Sequence, residues 1–135
     1  MNEGVLSVLS DDFERWLGEV PTLHRVLPVA QERPATEGGR LVVASVELWG
    51  DRIKWNLAQF PPPPRPVVGR ALPVFSMVDD ADTPYRLMGG GSGGDGRWWT
   101  QYLTFGPAPS QNATGLRLVG GTLADGSSVY VPLAA

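Results

Sequence analysis

The sequence contains no cysteine. That removes disulfides, zinc–thiolate centres, iron–sulfur clusters and thiol nucleophiles together. Histidine is nearly absent as well, His24 being the only one. It lies in an alternating segment with no nucleophile and orienting acid beside it, so no catalytic triad can be assembled. Glu14 and Glu47 lack the carboxylate partner that glycosidase chemistry requires. Lysine occurs once, at Lys54, against ten arginines, and isoleucine once, at Ile53; this bias fits a high-GC bacterial genome. There is no run of basic residues and the net charge is −3, which argues against nucleic acid and anionic membranes as partners. No stretch approaches the ~18 apolar residues of a membrane span. The start lacks the basic residues and apolar run of a signal peptide, so a cytoplasmic chain is expected.

What is present is turn chemistry. The 135 residues include 17 Gly and 13 Pro, with 42% hydrophobic and 19% charged residues. This is a globular composition that favours many short strands over a few long helices. A chain of this length buries roughly two thirds of the surface it exposes when unfolded. It needs no covalent or metal staple, and no cofactor is expected.

Two organisational units are predicted. In segment 1–22, Asp11 caps a helix with Glu14 three positions on, and Phe13, Trp16 and Leu17 share one face. Gly18 and Pro21 end it. So short a helix docks on the body of the domain or on a partner. From Leu23 to Ala135 the period changes to two. "LHRVLPVA" reads as an edge strand because of Pro28, and "QERPATEGG" as a loop. "RLVVASVELW" is a strand whose Val42, Ala44, Val46 and Leu48 form a purely apolar, inward stripe. Gly50-Asp51 is a two-residue hairpin signal of type II′, and "RIKWNLAQF" returns with Ile53, Trp55 and Leu57 inward. Pro61–Pro66 is a stiff extended crossover. "ALPVFSMVDD", "TPYRLMG", "RWWTQYLTF", "LRLVGGTL" and "SSVYVPL" complete a set of about eight strands with turn signals every 8–12 residues, the pattern of a β-sandwich.

The segment "MVDDADTPYRLMGGGSGGDGRWW", Met77–Trp99, holds the candidate sites. Asp79, Asp80, Asp82 and Asp95 offer oxygen ligands for a weak Ca²⁺ site. Asp80-Ala81-Asp82 matches the start of an EF-hand loop, but the sixth position is Tyr85 rather than Gly and the twelfth is Gly91 rather than Glu. The favoured reading is a tight turn held by Asp and Thr side chains. Gly89–Gly94 contains G-x-G-x-x-G, yet a strand pattern rather than a helix follows it, so it is no dinucleotide fingerprint. It is predicted as a loop at one end of the sandwich. Trp98 and Trp99 must point to opposite strand faces, and Trp49 lies opposite the Val42–Val46 stripe. One or two tryptophans are therefore exposed, or covered by the chain's own segments or a partner. The predicted binding residues are Trp49, Trp98, Trp99, Tyr102, Asp80 and Asp82.

The turn Asp79–Tyr85, followed by a glycine-rich stretch, resembles the Asp-Asp-x-Gly-Thr-x-Tyr turn of small immunoglobulin-like sandwich proteins of high-GC, actinobacterial-type bacteria. The matching residues are Asp79, Asp80, Thr83 and Tyr85, then Phe105 and Pro107, then Leu116 and Leu118. Asp82 stands where that pattern has Gly. The resemblance runs from Leu23 to Leu133 and implies an immunoglobulin-like fold with no catalytic residues. The expectation is a non-enzymatic, all-β interaction module that binds a protein partner or itself. The alternative is a carbohydrate- or calcium-binding module using loop 79–99.

Overall fold

The computed structural model describes residues 22–63 and 73–133. The helix expected in segment 1–22 and residues 64–66 of the polyproline run lie outside the described residues. Eight strands follow in chain order: β1 (Leu23–Pro34), β2 (Arg40–Trp49), β3 (Ile53–Phe60), β4 (Phe75–Asp79), β5 (Arg86–Gly94), β6 (Trp99–Gly106), β7 (Gly115–Gly120) and β8 (Ser128–Pro132). They form two antiparallel sheets, ordered β1-β2-β3-β6-β5 and β4-β7-β8. No helix among the described residues is long and apolar enough to cross a membrane.

The core lies between the inner faces of the two sheets. Leu41, Val43, Val46, Ile53, Trp55, Leu57, Leu103 and Phe105 come from the larger sheet, and Phe75, Met77, Leu116, Leu118, Val129 and Val131 from the smaller. The strict alternation of β3, buried at Ile53, Trp55, Leu57 and Gln59, matches a strand with one face in the core. The only buried polar side chain in that set, Gln59, accepts a hydrogen bond from the Thr122 hydroxyl at 2.8 Å. Trp55 is fully buried, and its indole N–H donates to the Met77 sulfur of the other sheet at 3.1 Å.

Strand β2 departs from the expected single stripe. Its pairing with β3 shifts register between Val43 and Ser45, a bulge at Ala44. Leu41 and Val43 face the core before the bulge, Val46 after it. One extra residue reverses which parity points inward. Val42 and Ala44, expected inside, are therefore on the outer face, while Val46 and Leu48 hold the predicted orientation.

β1 carries a matching irregularity between Pro28 and Gln31, with Ala30 at φ 50°. The strand continues past it, so Gln31–Pro34 is strand rather than the expected loop. The bulge restores its pairing with β2 on the far side of the kink. Three long side chains of β1 then reach the smaller sheet. Arg25 donates to the Leu133 carbonyl (2.8 Å), Gln31 to Tyr130 (2.9 Å) and Arg33 to Ser128 (3.0 Å).

Two further expectations are corrected. Gly50-Asp51 is a two-residue connection, closed by the Trp49 N–H on the Arg52 carbonyl at 2.9 Å. Neither residue has positive φ, so the turn is not type II′. The glycine tract is not a loop but the body of β5, paired residue for residue with β6 from Gly89 to Gly94. Two of its positions need glycine because β6 crowds them: a Cβ on Gly90 would stand 2.7 Å from the Tyr102 carbonyl oxygen, and one on Gly91 2.7 Å from the Tyr102 ring.

The Trp55–Met77 contact is separable from simple volume. Met77→Leu conserves size but leaves the buried indole N–H unpartnered, at a cost of about 2 kcal/mol. Urea unfolding should show that cost, and about half of it should vanish in a Trp55→Phe background, where no donor remains. Equal costs in both backgrounds would assign the effect to packing alone.

Candidate functional site

On the outer face of the larger sheet the small residues Val42, Ala44, Ala58 and Thr100 leave a groove of about 570 Å³. The β2 bulge places Val42 and Ala44 there, and the glycines of β5 add no side chain to fill it. Phe60 at the end of β3 and Trp98 just before β6 form one rim, their rings edge to face with centroids 5.1 Å apart. Tyr102 forms another rim. Its ring lies over Gly91 on one side, and the Lys54 ammonium sits 4.9 Å from its centroid. Trp98 is 52% exposed and Tyr102 42%. Of the polar groups lining it, the Asn56 amide is already engaged within the sheet, donating to Ser45 Oγ at 3.0 Å and to Glu47 Oε2 at 2.7 Å. The result is an aromatic-edged apolar surface facing solvent, of the kind proteins bury against partners.

Of the predicted binding residues, Trp98 and Tyr102 meet at this groove. Trp49 lies at the opposite end of β2, half-buried, with its indole N–H on Glu47 Oε1 at 3.1 Å. Trp99 shares the other face of β6 with the buried Leu103 and Phe105, and its indole N–H reaches Gln101 Oε1 at 3.4 Å. Phe60, Ala44 and Ala58 belong to the groove but were not singled out. Phe60 could have been found as the outward member of the β3 alternation.

Asp80 and Asp82 are far from the groove. The nine residues of β5 separate the Asp79–Tyr85 turn from Asp95–Trp99, a run of about 30 Å. Loop 79–99 is thus not one loop, and Asp79, Asp80, Asp82 and Asp95 do not converge. No group of three or more His, Asp or Glu among the described residues is placed to hold a metal ion. The carboxylates serve turns instead. Asp79 Oδ1 accepts the backbone N–H of Ala81 (2.9 Å) and Thr83 (3.1 Å), and Oδ2 accepts the Tyr85 hydroxyl at 2.7 Å. Asp80 ties the turn to the start of β7 by accepting both the N–H and the hydroxyl of Thr114. Asp82 takes the left-handed conformation, φ 55°, which Asp tolerates at more cost than Gly. Asp95 closes the turn into β6 by accepting the N–H of Arg97 and Trp98.

Partial burial pushes the Asp79 carboxyl up, but hydrogen bonding from Thr83, Tyr85 and the Ala81 N–H outweighs it and leaves the pKa below the usual range. Burial, then the bond to Asp79, pushes the Tyr85 hydroxyl up. A lowered folded-state pKa means that the stabilisation is complete above the unfolded value of about 3.9 and is lost as pH falls through the folded value. Asp79→Asn should therefore lower Tm at neutral pH and flatten its fall between about pH 5 and pH 2. An unchanged acid limb in thermal melts would show that the turn does not depend on the ionised carboxylate. Searches of protein-family models, curated proteins and solved structures find no match to this chain.

Proposed function

We propose that this is a non-enzymatic, immunoglobulin-like interaction module that associates with itself through the outer face of its larger sheet. The fold reading is supported by strand order. With β1 set aside, β2-β3-β6-β5 and β4-β7-β8 follow the ABED and CFG order of constant-type immunoglobulin domains; β1 is an added strand beside the first. The functional reading is carried by one observation, the groove edged by exposed Trp98 and Tyr102 on a floor of small side chains. Half-exposed aromatics beside a shallow apolar recess are what protein interfaces bury at their centres. A sugar would need free hydrogen-bonding groups to hold its hydroxyls, and the Asn56 amide is already engaged within the sheet.

The test is a concentration series followed by sedimentation and by amide and indole NMR. The Trp98 indole and the Thr100 and Tyr102 amides should shift as association proceeds. Trp98→Ala should weaken association about tenfold while Tm stays within a few degrees. Association unaffected by Trp98→Ala would overturn the reading, as would a protein that remains monomeric. Shifts of the same signals with neutral oligosaccharides, without self-association, would replace it with the carbohydrate alternative.

A further inference from the structure

Three of the four sheet edges carry devices that block strand addition. β1 is broken by its bulge at Ala30 and carries Pro28 and Pro34. β8 ends in Pro132, and the side chains of Arg25, Gln31 and Arg33 already occupy the carbonyls of Leu133, Tyr130 and Ser128. β4 is only five residues long and follows Pro73. Bulges, prolines, shortness and covered carbonyls are the means by which sheets avoid edge-to-edge pairing.

β5 has none of these over most of its length. It is the free edge of the larger sheet, nine residues long and exposed nearly throughout. Its register shift lies at Met88, so Gly89–Gly94 pairs regularly with β6, and among the described residues no strand pairs with its other side. Its one charged residue is Arg86, at the first position. An edge strand carries unpaired backbone N–H and C=O groups along its free side, and pairing them needs only another extended strand.

Resting on the self-association reading above, we propose that the partner is a second copy of this chain, added antiparallel along β5. A two-fold axis through Gly91 sets Gly89 of one copy opposite Gly93 of the other. Charge favours that direction. Antiparallel pairing brings the Arg86 end of each strand to the Asp95 end of its mate, so opposite charges meet twice; parallel pairing would place like charges together. Neither Arg86 nor Asp95 has an ion-pair partner among the described residues. Because Gly91 and Gly93 line the groove, the same pairing brings the two grooves side by side across the joined sheet. The Tyr102 ring, lying over Gly91, then stands at the junction.

Gly93 allows a clean test. A Cβ there meets nothing within 4 Å and the backbone has no positive φ, so a side chain fits the monomer without strain. Gly93→Lys should leave Tm unchanged and convert the sedimenting dimer to monomer, whereas Gly93→Ala should retain the dimer. In the wild type the Gly89–Gly94 amides should exchange with deuterium more slowly as concentration rises, and the dimer should weaken at high salt. A dimer that survives Gly93→Lys, with β5 amides exchanging rapidly at every concentration, would overturn edge pairing. If that dimer still weakens in Trp98→Ala, the outer-face reading stands without it. A wild-type protein that never dimerises would overturn both.

Discussion

The bulge at Ala44 sets the architecture of the larger sheet. A strand has a side-chain period of two, and β2 carries two apolar pairs of opposite parity, Leu41/Val43 and Val46/Leu48. A regular strand would bury one pair and expose the other. Exposing two large aliphatic side chains forfeits about 3 to 6 kcal/mol of transfer free energy, more than the disruption of one ladder step. The extra residue lets both pairs face the core. Its cost appears in β1, which must kink at Ala30 to keep pairing with a kinked neighbour. The outward turn of Val42 and Ala44 is the same event seen from outside. The groove floor is therefore a by-product of filling the core, and its small side chains leave room for the aromatics of β3 and β6 to stand at its rim.

The core itself is held without any covalent link between sheets. Its middle is Trp55, whose bulk fills the space between β3 and β4 and whose one polar atom finds the Met77 sulfur. A buried tryptophan offers large apolar area together with a donor that must be satisfied. A sulfur acceptor meets that need without bringing a second strongly polar group inside. One further polar link is buried, the Thr122 hydroxyl on Gln59 of β3, and three more lie nearer the perimeter, where Arg25, Gln31 and Arg33 bond the carbonyls of Leu133, Tyr130 and Ser128. Desolvation is smallest there, so each bond contributes on the order of 1 kcal/mol without a large opposing term.

Much of this was legible in the residues. The alternation in β3 identified its inward side chains, and that in β6 set Trp98 and Trp99 on opposite faces, because turn residues bound both strands cleanly. The Asp79–Tyr85 turn was readable because Asx chemistry is local. The bulges were not readable. They follow from competition between two burial patterns, and the run "RLVVASVELW" supports either parity over half its length. The glycine tract was misread for a related reason. Glycine in isolation favours turns, and only the position of Tyr102 across the sheet shows why side chains are excluded from Gly90 and Gly91. That information is held by residues eleven and twelve positions away in the chain, and no window on the tract itself contains it.

These features divide the domain into a closed side and an open one. On the side of β1 and β8 the sandwich is sealed by prolines, a kink and three long side chains that consume exposed carbonyls. On the side of β5 the chain uses glycine, which supplies no side chain to cover the edge, and the turns at either end are pinned by Asp79, Asp80 and Asp95. Glycine in a strand interior raises the entropy lost on folding by about 0.5 to 1 kcal/mol per residue relative to alanine. Steric crowding accounts for Gly90, Gly91 and Gly94, but nothing within the domain requires Gly93, where a Cβ would meet open space. The fold's own contacts do not offset that cost at Gly93. What distinguishes the position is that it lies both on the free edge and in the groove, so the absence of a side chain there leaves clear the surface a neighbouring strand would occupy.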